Sequence, residues 1–259
     1  MSQTANHRLH ILEASDWKEG VITLLERGAP YWPWRCISGE PLPGDRVILV
    51  LGTDPVSVVT ELALTDEYTD ALGVPLLVQS RCAGAAELAP VASALGLDED
   101  YTTWDLDAVD AERLTDLLRE NSIPRFISNT SGHSSLSAAR ILLDFNGYCT
   151  GCGERVDLTV DNARDQVYVH TVDPSSEDWA AVLCTACRDH VLQGNAGSLT
   201  DFKLAQHPEC PSCGARRTQL IRYGMPIGPD CWGPWVRVGG CCVTPESRQW
   251  NCQECFHRW

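Results

Sequence analysis

The stretch that decides the fold runs from Cys149 to Cys187 and carries two Cys-x2-Cys pairs. It opens with Cys149-Thr-Gly-Cys152-Gly153, continues through residues 154–183 and closes with Cys184-Thr-Ala-Cys187. Two such pairs around a β-hairpin present four thiolates to one tetrahedral Zn²⁺. A glycine after the first pair suits the sharp turn of a zinc knuckle, because a residue without Cβ tolerates it best. The second pair leads into a helical pattern, so the stretch predicts a zinc-centred ββα unit.

A second set of four cysteines closes the chain. Its members again form two Cys-x2-Cys pairs, namely Cys210, Cys213, Cys252 and Cys255. The sequence between them predicts strands joined by Gly/Pro turns, similar in outline to a zinc ribbon over residues 208–259. A unit this small buries too little surface to fold alone, so the metal supplies folding free energy. Three cysteines are left over in this part, Cys231, Cys241 and Cys242, and they either pack or join a third zinc site.

Length and composition bound the class of protein. The 259 residues are 44% hydrophobic, which predicts a globular protein of about two domains. The start has no basic segment followed by an apolar run, and no long apolar stretch follows, so we expect no signal peptide and no membrane span. A cytoplasmic location follows from this expectation. Thiols stay reduced there, so the 13 cysteines favour zinc over disulfides.

Charge is distributed unevenly along the chain. Lys and Arg number 10 against 22 Asp and Glu in residues 1–148, 3 against 9 in residues 149–202, and 7 against 4 in residues 203–259. Only the C-terminal part is basic. We therefore expect weak binding to nucleic acid of random sequence, since non-specific affinity comes from neutralised phosphates.

The first part of the chain predicts a mixed α/β domain over residues 1–132. A short helix is expected after a cap at Ser15, and a buried strand is expected at Arg46–Leu51. Further strands are predicted at Val56–Leu64 and Val74–Val78. Helical periodicity follows at residues 84–97 and 110–121.

An aromatic cluster precedes the strand of this domain. Tyr31, Trp32 and Trp34 stand ahead of the segment "GDRVIL", which has a faint similarity to PUA-like domains that read modified bases. The alternative is a lid over the core, because aromatic residues mostly serve burial. Cys36 and Cys82, which are unpaired in the sequence, are expected to be small buried hydrophobes.

Residues 141–195 combine a cysteine pair, a hairpin ending in a histidine ("VYVHTVDP"), a tryptophan-bearing turn ("SEDWAAVL"), and a second cysteine pair with a helix behind it. This arrangement resembles an HNH-type treble-clef nuclease domain. In that family the hairpin histidine is the general base that activates water, and a helix residue helps to hold a catalytic divalent metal. The resemblance implies that His170 is the base and His190 the metal ligand.

Three positions depart from the usual pattern of this family. Val169 stands where an acidic or histidine metal ligand usually precedes the hairpin histidine. Trp179 or Ala180 replaces the central Asn, and Arg188 stands where Asn or His is common. Two interpretations stay open: an active nuclease, or a zinc-bound scaffold without the chemistry, in which His170 is an ordinary strand residue.

Basic residues of the C-terminal part form a candidate surface for nucleic acid. Four of them are expected to contact phosphates: Arg216, Arg217, Arg222 and Arg237. The alternative is that they keep a small ribbon soluble or pair with acidic residues elsewhere, because surface charge alone says little about partners.

The sequence as a whole predicts an α+β protein of three parts: a mixed α/β domain at 1–132, an HNH-like treble-clef domain at 133–202 and a zinc ribbon at 203–259. The first functional hypothesis is metal-dependent phosphodiester cleavage directed at nucleic acid, most simply DNA, as in restriction or defence. The second is a non-catalytic adaptor that binds a protein or a nucleic acid through its ribbon.

Overall fold

The computed structural model of this chain describes residues 9–26, 34–39, 41, 45–59, 63–69, 75–78, 84–104, 106, 108–121, 132–193, 197–224 and 232–259. These residues belong to two compact units. The first unit is drawn from residues 1–125, 133–147 and 157–164, and the second from 126–132, 148–156 and 165–259. The architecture is mixed α+β, as the sequence predicts. Domain boundaries at residues 132 and 202 stay a prediction.

The described strands are short. They are β1 (Leu9–Ala14), β2 (Arg35–Cys36), β3 (Arg46–Leu51), β4 (Ser57–Val59), β5 (Ala63–Thr69), β6 (Pro75–Val78), β7 (Ala85–Glu87), β8 (Val167–His170), β9 (Ala181–Cys184), β10 (Thr218–Arg222), β11 (Val236–Val238) and β12 (Trp250–Cys252).

The described helices alternate with these strands. They are α1 (Trp17–Leu25), α2 (Leu88–Leu95), α3 (Ala108–Asn121), α4 (Ser135–Leu143), α5 (Ala163–Gln166), α6 (Thr185–Gln193) and α7 (Leu199–Ala205), with a single 3-10 turn at Tyr101–Thr103. Within the described ranges, none of the helices combines the length and the apolar composition that crossing a bilayer requires.

Strand β3 is the centre of the first unit. It pairs in parallel with β1 on one side, while on the other side its start pairs with β5 and its end with β4, both antiparallel. The remaining strands extend this sheet, β2 beside β1, β7 beside β4 and β6 beside β5. Val47 to Leu51 are fully buried, which explains why the sequence of β3 is a continuous apolar run. Helices α2 and α3 contribute Val91, Leu114 and Leu118 to the same core.

Two sequence predictions in this unit are wrong in detail. The cap of α1 is Asp16, whose carboxylate accepts hydrogen bonds from the backbone N–H groups of Lys18 and Glu19, each at 3.2 Å. Residues 85–87, predicted as helix, form β7 instead. Helix α2 then begins at Leu88, which places Pro90 in its first turn, where a missing N–H costs nothing.

The aromatic cluster is described only in part. Trp34 is buried, with 4% of its surface exposed, which agrees with the interpretation of a residue that covers the core. Tyr31, Trp32, Cys82 and Cys231 lie outside the described residues.

The described residues of the second unit form two small sheets. Strands β8 and β9 form an antiparallel hairpin in which His170 pairs with Ala181, and helix α6 follows β9 directly. In the other sheet β10 lies between β11, which is parallel to it, and β12, which is antiparallel. Sheets of two or three strands are marginally stable in water by themselves, so this unit needs another source of stability.

Candidate metal centres

The first cysteine tetrad joins three elements of the second unit. Cys149 and Cys152 lie in a turn, Cys184 ends β9, and Cys187 lies in the first turn of α6. All four sulfur atoms lie within 4.8 Å of one another, so the group is placed to hold a metal ion. Four atoms at about 2.3 Å from a tetrahedral centre are about 3.8 Å apart. The Sγ atoms of Cys152 and Cys184 are 4.0 Å apart, which fits this geometry.

Hydrogen bonds from backbone N–H groups stabilise the thiolate form of Cys149. The N–H of Cys184 donates to Cys149 Sγ at 3.2 Å. Burial raises the pKa of the Cys149 thiol, but hydrogen bonds from the N–H groups of Cys184, Cys152 and Gly151 outweigh it, and the pKa is lowered. A thiolate, rather than a thiol, is the form that binds a metal.

Close packing around Gly151 holds the first tetrad together. A Cβ atom at Gly151 would lie 2.7 Å from Cys187 Sγ, so no larger residue fits there without moving a ligand. The carbonyl of Gly151 also accepts a hydrogen bond of 2.9 Å from Lys203 Nζ. Burial lowers the pKa of Lys203, although the charges of Cys149, Cys187 and Cys152 oppose that change. Lys203 is therefore a cation that partly balances the negative charge of ionised tetrad cysteines. The sequence does not predict this role, because Lys203 belongs to no recognisable motif.

The second tetrad has the same spacing. Its members are Cys210, Cys213, Cys252 and Cys255, again with all sulfur atoms within 4.8 Å. The Sγ atoms of Cys210 and Cys255 are 3.6 Å apart, and those of Cys213 and Cys252 are 3.7 Å apart. Desolvation raises the pKa of Cys210, but N–H groups of Ser212 and Cys213 donate to its sulfur and lower the pKa to about 7.

Three of the four cysteine pairs adopt the same turn. In each, the N–H of the first cysteine donates to the carbonyl five residues later: Cys149 to Glu154 at 2.8 Å, Cys210 to Ala215 at 2.9 Å, and Cys252 to His257 at 2.9 Å. The residue after the second cysteine has positive φ in all three, and it is Gly153 (φ 78°), Gly214 (φ 73°) and Phe256 (φ 58°). A bulky residue in this conformation is an outlier. The side chain of Phe256 is also exposed, at 70%.

The histidine predicted as a general base is held by a carboxylate. His170 Nε2 lies 2.8 Å from Asp178 Oδ2, and both side chains are nearly buried, with 13% and 12% exposed. The same carboxylate accepts hydrogen bonds from the N–H groups of Leu199 (3.3 Å) and Thr200 (2.9 Å) at the start of α7. Burial raises the pKa of Asp178, but hydrogen bonds from His170, Thr200 and Trp179 lower it to about 2. The pair therefore fastens the hairpin to α7.

The predicted helix ligand has different surroundings. His190 lies on α6 and is exposed, and its ring stacks on Phe202 with 5.9 Å between centroids. Within the described part of the chain, the groups of three or more His, Cys, Asp or Glu side chains placed to hold a metal are the two tetrads. Neither group includes His170 or His190.

The four predicted phosphate contacts do not form one surface. Arg216 pairs with Glu209 at 2.9 Å, and Arg217 pairs with Asp201 at 2.7 Å. Strands β10 and β11 are parallel, and Arg237 of β11 pairs with Ile221 of β10, whereas Arg222 pairs with Val238. Successive residues of a strand point to opposite faces, so Arg222 and Arg237 lie on opposite faces of this sheet.

Comparisons with protein-family models, with curated proteins and with solved structures found nothing that matches this chain. The geometry of the two tetrads therefore carries the functional interpretation.

The tetrads predict two tightly bound metal ions per chain. Elemental analysis after gel filtration should find two equivalents in the wild type. Cys149→Ser should lower this number to one and destabilise the hairpin, because ligand binding and folding are coupled. Cys36→Ser is the matched control and should keep both ions. One ion or none in the wild type would contradict the assignment.

The Asp178 carboxylate predicts a structural role for its pair with His170. Because the folded pKa lies below the usual value of about 3.9, its stabilising contribution is complete at neutral pH and is lost as the pH falls through about 2. Asp178→Ala should lower the free energy of unfolding at pH 7 by about 2–3 kcal/mol, because a charged hydrogen-bond acceptor is removed.

Chemical denaturation with bound metal measures this change. The neighbouring Glu177 is exposed, and Glu177→Ala should stay within about 0.5 kcal/mol of the wild type. Equal effects of the two substitutions would show that the pair contributes nothing particular.

Proposed function

We propose that this chain is a zinc-stapled nucleic-acid-binding protein, and that its C-terminal module, residues 208–259, contacts unpaired bases. Zinc is the ion that fits best, because four thiolates at tetrahedral spacing suit a soft-ligand, redox-inactive cation. On this proposal the first tetrad centres a treble clef and the second a zinc ribbon. Both ions are structural, since four protein ligands leave no open position for a substrate.

Phe256 is the observation that carries the binding proposal. The two equivalent turns use glycine where this turn uses phenylalanine at positive φ. A residue in a sparsely populated backbone region costs about 1–3 kcal/mol and points to a functional constraint. The ring recovers little of this cost by packing, because 70% of Phe256 is exposed. An exposed aromatic ring on a rigid turn is a platform on which a base can stack.

The charges around this turn favour a nucleic acid. Arg258 is exposed two residues after Phe256. Arg217 is joined to this turn by a hydrogen bond from the N–H of Gln253 to its carbonyl, and its guanidinium also pairs with Asp201. Residues 203–259 carry 7 Lys and Arg against 4 Asp and Glu, whereas residues 1–202 carry 13 against 31. The negative charge of residues 1–202 disfavours extended contact with a duplex. The expected ligand is therefore a single strand or an unpaired loop.

Two observations weigh toward binding rather than cleavage. Val169, next to His170, offers no metal ligand. The two histidines lie outside the metal-competent groups of the described residues. The HNH-like nuclease hypothesis stays a prediction, and the same experiment addresses it.

Binding of labelled single-stranded oligonucleotides, followed by fluorescence anisotropy at low salt, tests the proposal. Phe256→Gly should weaken binding by about tenfold, because base stacking on an aromatic ring contributes about 1–3 kcal/mol. It should also keep both metal ions and equal or exceed the wild-type stability, since glycine relieves the positive φ. Phe256→Leu should weaken binding equally, whereas Phe256→Tyr should preserve it.

Val243 provides the matched control, because it is another large apolar side chain of this module and is 72% exposed. Val243→Ala should leave affinity unchanged. If the wild type binds no oligonucleotide at low salt, the protein-binding adaptor becomes the better account. If the bound strands are cut with Mg²⁺ or Mn²⁺ and His170→Ala abolishes the cutting, the protein is a nuclease.

A further inference from the structure

Two adjacent cysteines outside the tetrads form an exposed pair of thiols. The Sγ atoms of Cys241 and Cys242 are 3.6 Å apart, and both residues are exposed. Gly239 and Gly240 separate the pair from β11, and their backbone is held by hydrogen bonds from Gly239 N–H to the Arg222 carbonyl and from Gly224 N–H to the Gly240 carbonyl, both 2.8 Å. Cys241 therefore directly follows a hydrogen-bonded residue, Gly240.

The chemistry of this pair differs from that of the tetrad cysteines. The tetrad sulfurs are placed to be metal ligands, and a bound cation would lower their nucleophilicity, whereas no metal-competent group among the described residues includes Cys241 or Cys242. The other described cysteine outside the tetrads is Cys36, which stands in β2 and is half-buried. Reactivity of a cysteine toward oxidants follows its exposure and thiolate character.

A bond between these sulfurs would be easy to reverse. Adjacent Cα atoms are about 3.8 Å apart, whereas ordinary disulfides span about 4.4–6.8 Å between Cα atoms. A disulfide between neighbouring residues is therefore strained. Strained and exposed disulfides are the labile ones, because their reduction relieves the strain.

We propose that Cys241 and Cys242 form a redox-active vicinal dithiol that exchanges with small disulfides such as oxidised glutathione. One cysteine thiolate attacks a glutathione sulfur, the glutathione S–S bond breaks, and one glutathione thiolate leaves and takes up a proton. The second cysteine thiolate then attacks the protein sulfur of the mixed disulfide and releases the second glutathione. The two protein thiols lose two electrons and two protons, and oxidised glutathione becomes two molecules of reduced glutathione.

Tryptic mapping of the zinc-loaded, full-length protein tests this directly. Cleavage after Arg237 and Arg248 gives the peptide 238–248, which contains Cys241 and Cys242 and no other cysteine. After treatment with oxidised glutathione and alkylation of free thiols, this peptide should be two hydrogens lighter and carry no adduct. Both zinc ions should remain bound, and excess reduced glutathione should reopen the bond.

Single substitutions separate the two steps. Cys241→Ser or Cys242→Ser should stop the reaction at the mixed disulfide, so that peptide 238–248 carries one glutathionyl group in at least one of them. Cys36→Ser is the control and should behave as the wild type. The proposal is overturned if the wild-type peptide keeps two alkylatable thiols or accumulates two glutathionyl groups. Loss of zinc before any change in this peptide would also overturn it. Neither outcome depends on nucleic-acid binding, so this inference stands or falls separately from the proposed function.

Discussion

The convergence of four thiolates on one point is the constraint on which the second unit depends. Each tetrad joins segments that are far apart in the chain, since the residue numbers of Cys152 and Cys184 differ by 32 and those of Cys210 and Cys255 differ by 45. The described sheets next to these cysteines have two and three strands. Such sheets bury too little surface to be stable alone, so we expect metal binding and folding to be coupled in this unit. Closed four-cysteine sites generally hold structure rather than activate substrates, so the proposed function assigns the chemistry of binding to other side chains.

The sequence predicted the features that depend on local spacing. The eight tetrad cysteines, the buried strand β3 and the amphipathic helix α3 all follow from short patterns, and the structure has each of them. Features that depend on distant partners were missed. Asp178 is not part of a motif, yet it links His170 with the start of α7. The sequence predicts the cap of α1 at Ser15, one residue before the observed cap Asp16, because both residue types are good caps and only the geometry separates them.

The histidine of the hairpin shows what a motif leaves open. A motif fixes the position of His170 but does not predict its partner Asp178, whose carboxylate both orients the imidazole and links the hairpin to α7. Phe256 shows the opposite situation, since nothing in the spacing of its cysteine pair marks it. Two features single out Phe256. Its φ is positive, at a position where the two equivalent turns have glycine, and the residue is 70% exposed, so its ring packs little against the protein.

X-ray absorption at the zinc edge of the purified full-length protein tests the central claim most directly. Two four-thiolate sites predict two zinc ions per chain and a first shell of four sulfur atoms at about 2.3 Å, with no nitrogen or oxygen ligand. The same shell should persist in His170→Ala and His190→Ala. A first shell that contains nitrogen or oxygen, or a sulfur count that falls when either histidine is replaced, would contradict the account.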